Sequence, residues 1–120
     1  MTADEKMIQE IKAYVMAHID CDLTARALAA RYGLSMTTLR RRFLQTEGEP
    51  LGAYVRRTRM ECAAEDLLFG ETAADVCVGC NFNSRSSFNR AFKKAFGVTP
   101  QAYKLAHGKL SPAAGDVAEL

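Results

Sequence analysis

An all-α chain of about seven helices is the fold this sequence predicts, and three observations predict it. Apolar residues recur at helical spacing, as in Ile8, Ile11, Val15 and Ile19. Glycines punctuate the periodic stretches, with Gly33, Gly48, Gly70 and Gly97 as stops. One pattern also occurs twice. Matching Ser35 to Ser84 brings Leu39 onto Phe88, Phe43 onto Phe92 and Gly48 onto Gly97. Each copy reads as helix, tight turn, helix, so the predicted architecture is two helix-turn-helix subdomains joined by a long linker helix.

Thr2 followed by Glu5 is a capping box, and the Ile8 stripe then predicts a first helix of about 17 residues, ending near Asp20, that acts as a brace. Thr24 caps the second helix, with Leu23 placed to staple onto Leu28. Gly33 supplies the left-handed residue that turns the chain into the helix after Ser35, which stops at Gly48. Pro50 suits the first position of the linker helix, which ends at Gly70 and carries Leu51, Tyr54, Val55, Thr58, Cys62, Ala63 and Leu67 inward. Leu51 to Phe69 spans about 28 Å, close to the ~34 Å between successive major-groove faces on one side of B-DNA.

Thr72 caps a short fifth helix, and Asn81 takes the place of Gly33 in the second turn. Ser84 then caps a helix whose inner stripe is Phe88 and Phe92 with Ala91 and Ala95 beside them. Thr99 and Pro100 start a last helix carrying Tyr103 and Leu105. The expected organisation is a first subdomain over 1–49, a linker helix over 50–70, a second subdomain over 71–107 and a disordered tail over 108–120.

A net charge of +2 is modest, but its distribution is not. Residues 35–60 hold Arg40, Arg41, Arg42, Arg56, Arg57 and Arg59 against Glu47 and Glu49; residues 80–105 hold Arg85, Arg90, Lys93, Lys94 and Lys104 against no acid. Residues 61–79 carry Glu61, Glu65, Asp66, Glu71 and Asp75 with no basic residue. The two basic blocks coincide with the helices after Ser35 and Ser84. Donor-rich, acid-free faces suit a partner rich in acceptors, and double-stranded DNA is the obvious one. No apolar run nears the ~18 residues needed to span a bilayer and no signal peptide precedes Asp4, so a cytoplasmic, non-membrane protein is expected.

Enzyme chemistry has little to stand on: a Gly-rich phosphate loop, H-E-x-x-H and G-x-S-x-G are all missing, and His18 and His107 lie near opposite ends. Cys77-x-x-Cys80 is half of a zinc or redox motif; Cys21, Cys62, His18 and His107 supply no second pair, so small core residues are the default and no cofactor or metal is expected. Two other classes stay open. One is a helical interaction module docking on an acidic protein surface, the other a cysteine-based redox- or metal-responsive regulator.

The second unit continues as Phe96-Gly97-Val98-Thr99-Pro100-x-x-Tyr103, and the first as Gly48-x-x-Leu51-x-x-Tyr54-Val55. With these signatures, residues 5 to 107 resemble the DNA-binding domain of the AraC/XylS family of bacterial transcription regulators. The resemblance implies two helix-turn-helix subdomains on a long helix, asymmetric sites in adjacent major-groove segments, and activation of transcription with RNA polymerase as a further partner. Asn81 departs from the family's glycine and Cys77 from its usual alanine. Stand-alone members consist of little more than this domain, so activity is governed by abundance or the sequence is part of a longer regulator.

Outward faces in register are Thr37, Arg40, Arg41 and Leu44 on one helix and Ser86, Asn89, Arg90 and Lys93 on the other. Arg40, Arg41 and Arg90 can each fork to guanine O6 and N7, whereas Thr37, Ser86 and Asn89 suit base edges or phosphates. The resemblance places base contacts at Thr37, Arg40, Arg41, Ser86, Asn89 and Arg90, and adds Arg85. Phosphate contacts are expected at Ser35, Ser84, Arg56, Arg57, Lys93, Lys94 and Lys104. Arg42 lies toward the core, with carbonyls or an acid such as Glu61 as its expected partner. Two unlike faces predict unrelated half-sites and a non-palindromic operator; the chain is expected to bind as a monomer, and a bacterial regulator of this kind is expected at the nucleoid.

Overall fold

The computed structural model describes residues 1–107, and the expected tail over 108–120 lies outside them. Regular structure in the described residues is helical throughout: α1 (Ala3–Ala17), α2 (Ala25–Arg31), α3 (Met36–Glu47), α4 (Leu51–Leu68), α5 (Ala73–Gly79), α6 (Arg85–Phe96) and α7 (Pro100–His107). Among these residues no helix is long and apolar enough to cross a membrane. The chain divides into two compact units at Thr58 and Arg59, inside α4.

In the first unit, α3 packs on α1 and α2. Its core is Ile8, Ile11 and Val15 from α1, Leu23, Leu28, Leu39, Phe43, and Leu51, Tyr54 and Val55 from α4. The capping box at Thr2 is complete: the Glu5 amide donates to Thr2 Oγ1 at 3.1 Å, and the Thr2 amide donates to Glu5 Oε1 at 2.8 Å. The helix it opens is shorter than expected, ending at Ala17 instead of near Asp20. There the His18 amide and the His18 Nδ1 both turn to the Tyr14 carbonyl, at 3.0 and 2.9 Å, and the ring stacks on Tyr14 at 4.0 Å. The His18 amide is shared with the Val15 carbonyl at 3.2 Å, so the last turn closes on an i−3 bond and the acceptor that the next residue would have used is taken.

In the second unit, α6 packs on α5 and α7. Met60, Ala63, Ala64, Leu67, Val76, Cys77, Cys80, Phe88 and Phe92 form its core. An aromatic series runs through it: Phe82 meets Phe88 at 5.5 Å between centroids, Phe88 meets Phe92 at 6.0 Å, and Phe92 meets Phe96 and Tyr103 at 4.6 and 5.4 Å. Such pairs add about 0.5–1.5 kcal/mol beyond the burial of the rings themselves.

Three further expectations from the sequence do not hold. Ala95 is exposed instead of facing the core, because the buried arc of α6 is narrow and the rings of Phe88 and Phe92 fill it. Pro50 stands one residue ahead of α4, as the residue whose carbonyl accepts from the Tyr54 amide at 3.1 Å. Along α4, Cys62 is only half-buried while Met60 and Ala64 are buried. The first half buries Leu51, Tyr54, Val55 and Thr58, the second Met60, Ala63, Ala64 and Leu67, so one stripe extended through the helix misassigns its C-terminal half.

Phe92→Ala removes a ring that is wholly buried in this core and is expected to cost about 3–5 kcal/mol in urea unfolding. Ala95→Ser, on the solvent side of the same helix, should stay within about 0.5 kcal/mol.

Candidate nucleic-acid interface

Each recognition helix is opened by the same short network. Ser35 Oγ accepts the Thr38 amide at 3.1 Å and donates to Thr38 Oγ1 at 2.9 Å. Ser84 Oγ accepts the Ser87 amide at 3.1 Å and donates to Ser87 Oγ at 3.0 Å. A hydroxyl stands at the third helical position where α1 has Glu5, so neither α3 nor α6 has an acid in its first turn. The positive end of each helix dipole is therefore left without a carboxylate. Because both Ser35 and Ser84 side chains are committed to capping, a phosphate contact at these positions would come from the helix terminus.

The turns before α3 and α6 begin identically. Leu34 donates to the Ala29 carbonyl at 2.9 Å, and Phe82 to the Cys77 carbonyl at 3.1 Å, with Gly33 and Asn81 at φ of 68° and 63°. They then diverge. The caps Thr24 and Ser35 are eleven positions apart and Thr72 and Ser84 twelve, so Asn83 is an additional residue in the second turn. Cys77 answers it, its thiol reaching the Phe82 and Ser84 carbonyls at 3.9 and 3.6 Å. This gives the departure from alanine at that position a physical role.

Burial of Leu39 and Phe43 turns Thr37, Arg40, Arg41 and Leu44 to solvent on α3, with Leu44 49% exposed. Burial of Phe88 and Phe92 does the same for Arg85, Ser86, Arg90 and Lys93 on α6, while Asn89 is half-buried at the edge of that face. Arg90 Nη2 donates to Ser87 Oγ at 3.4 Å, which steadies the guanidinium and uses one of its five N–H groups. Lys93 and Lys94 lie in the last turn of α6, where their charge complements the dipole. Gln45 is an exposed residue four after Arg41 and extends the α3 face; sequence reading passed over it, although the four-residue spacing carries the signal.

Several cations prove to be engaged within the protein. Arg42 pairs with an acid, as expected of a residue toward the core side, and that acid is Asp4 at 3.4 Å, because α1 packs directly on α3. Lys12 joins Glu47 at 2.7 Å, with only 28% and 15% of the two side chains exposed, a second tie between the same helices. Arg57 is paired with Glu49 and lies 5.4 Å from the Tyr54 ring centroid, whereas Arg56 is exposed. Lys104 donates to the Gly70 and Glu71 carbonyls at 3.4 and 2.9 Å, and so retains one N–H for another acceptor.

The cysteines stand apart from these faces. Burial, with Asp66 next, pushes the Cys80 thiol up to about 12, and burial raises Cys62 as well, helped by Asp66, Glu65 and Glu61. A thiol so shifted is protonated at neutral pH and is a poor nucleophile. Among the described residues no group of three or more His, Cys, Asp or Glu is placed to hold a metal ion.

The profile of a family described as "Helix-turn-helix domain" matches residues 28–106, spanning α3 and α6 and the turns before them. The chain belongs to the AraC-type helix-turn-helix family. Among curated members it is 33% identical over 99 residues to the right origin-binding protein of Escherichia coli K12, covering 82% of this chain and 34% of that one. It is 32% identical over 101 residues to the regulatory protein SoxS of the same strain, covering 83% of this chain and 94% of SoxS. The chain therefore spans about a third of the first relative and nearly all of the second. Among solved AraC-type structures, the DNA-binding domain of AdpA in complex with a target DNA matches with a TM-score of 0.74 and 27% identity, covering 82% of this chain and 90% of that domain.

Thiol accessibility provides a check on this arrangement. Iodoacetamide at mildly alkaline pH is expected to label the exposed Cys21 first and Cys62 more slowly, with Cys77 and Cys80 protected until denaturant is added. Peptide mass spectrometry over a time course reads the order directly.

Proposed function

We propose that this chain is a sequence-specific, double-stranded DNA-binding transcription regulator of the activator kind, reading two adjacent major-groove segments of one asymmetric site. The observation that carries the reading is the repeated geometry of α3 and α6: a buried leucine or phenylalanine stripe on one side and an exposed, acid-free basic stripe on the other. AdpA, a relative in fold and sequence, is described with a target DNA, and SoxS is described as a regulatory protein, which supports the same class.

In this reading Arg40, Arg41 and Arg90 fork to guanine, and Thr37, Ser86 and Asn89 contact base edges or the adjacent sugar-phosphate. Ser35, Ser84, Arg56, Arg57, Lys93, Lys94 and Lys104 position the protein on phosphates, with Arg57 leaving Glu49 to do so. The two faces differ, Leu44 answering Lys93, so the half-sites are unrelated and one copy of the chain suffices for a site. RNA polymerase as a second partner and a cytoplasmic, nucleoid-associated location go with the regulator reading.

Sites selected from a random DNA pool provide the test substrate. Arg41→Ala and Arg90→Ala are each expected to cost about 1–3 kcal/mol in fluorescence anisotropy and to relax base preference in different halves of the same site. Uniform loss on every sequence would make both arginines backbone contacts. Affinity that barely changes as salt rises would remove the nucleic-acid reading altogether.

A further inference from the structure

We infer that an open cleft in the second unit is a seat for one backbone phosphodiester, and that Arg85 serves this seat and not base reading. The inference rests on the DNA-binding reading above. The cleft has a volume of about 270 Å³ and is lined by Leu67, Thr72, Arg85, Gln101 and Lys104, together with two alanines of α5. No carboxylate is in its lining, and two full cations and two neutral donors are. A concave site with that composition matches a compact anion presenting several acceptor oxygens. The flat edge of a base pair offers two or three acceptors in a plane and needs a projecting side chain instead.

Lys104 is held in place for such a role. Its ammonium donates to the Gly70 and Glu71 carbonyls at 3.4 and 2.9 Å, which leaves its remaining N–H to an acceptor in the cleft. Arg85 brings the second charge from the first position of α6, and among the described residues it has no carboxylate partner. Thr72 Oγ1 accepts the Asp75 amide at 3.1 Å, so its own proton is free to donate. Gln101 is exposed on α7 and adds an amide.

Arg85 also lies at the edge of the exposed face of α6 and not at its centre. At about 100° per residue it lies roughly 80° to 140° from Lys93, Ser86 and Arg90 and roughly 40° from Asn89, between that half-buried edge of the face and Phe88. Its counterpart in the first unit is Met36, which is half-buried against that unit's core. Duplication therefore supplies no charge at this position in α3, in contrast to Arg41 and Arg90, which match. The charge at Arg85 belongs with the cleft and not with the repeated recognition face.

The experiment uses the full chain, a selected duplex, a scrambled duplex of equal length, and a set of selected duplexes each carrying one neutral methylphosphonate. Arg85→Ala is expected to weaken binding to both unmodified duplexes by the same factor and to lower the salt slope by about 1. Arg85→Lys should keep the slope. One methylphosphonate position should bring the wild-type chain down to the level of Arg85→Ala, which should itself be indifferent to that modification. A change in preference at one base pair on Arg85→Ala overturns the inference while leaving the regulator reading intact. Equal binding by wild type and Arg85→Ala also overturns it, and shifts of the Gln101 and Lys104 amide resonances with inorganic phosphate would then assign the cleft to a free anion. Wild-type binding without salt dependence would remove the regulator reading first, and this inference with it.

Discussion

Two residues four apart on each recognition helix, Leu39 with Phe43 and Phe88 with Phe92, must be kept from water at once, and this constraint fixes how each helix is rotated. Only one rotation of a helix buries both members of such a pair, and that rotation turns the side a third to half a turn away toward solvent. Fully burying each of these side chains is worth about 1.5–3 kcal/mol, whereas an exposed ion pair such as Arg42 with Asp4 contributes at most about 1 kcal/mol. The polar stripe is thus presented by default. Caps, turns and ion pairs refine its position without choosing it.

Most of this was legible because its signals are local. Capping by Thr2, Thr24, Ser35, Thr72, Ser84 and Thr99, and positive φ at Gly33 and Asn81, depend on residues a few positions apart and could be read from the sequence directly. Partners distant in the chain could not. Arg42 finds Asp4 and Lys12 finds Glu47 because α1 lies against α3, and Lys104 closes on carbonyls more than thirty positions away. Ala95 and Cys62 were misplaced for a different reason: periodicity gives the centre of a buried stripe but not its width, and it carries no warning where a long helix changes what it packs against, as α4 does.

The candidate site follows the same division. Arg40, Arg41, Ser86 and Arg90 could be picked out because exposure on a regular helix is a matter of angle. The cleft of Arg85 and Lys104 could not, since its walls come from α4, α5, α6 and α7 and no spacing in the sequence unites them. Asn83 lay between these extremes. The extra residue is visible when the two turns are matched, but the thiol contact from Cys77 that steadies the longer turn emerges only in three dimensions.

The two recognition helices share a buried apolar anchor but differ in the supports added to it. Beyond the apolar core that both share, α3 is backed by a lysine with a glutamate and an arginine with an aspartate, and α6 by the tilted and edge-on rings of Phe92, Phe96 and Tyr103. Ionic strength acts on the first kind of support and temperature on the second, through screening and through the entropy of hydration. An osmotic upshift and a cold shock would thus press on opposite halves of the same short chain.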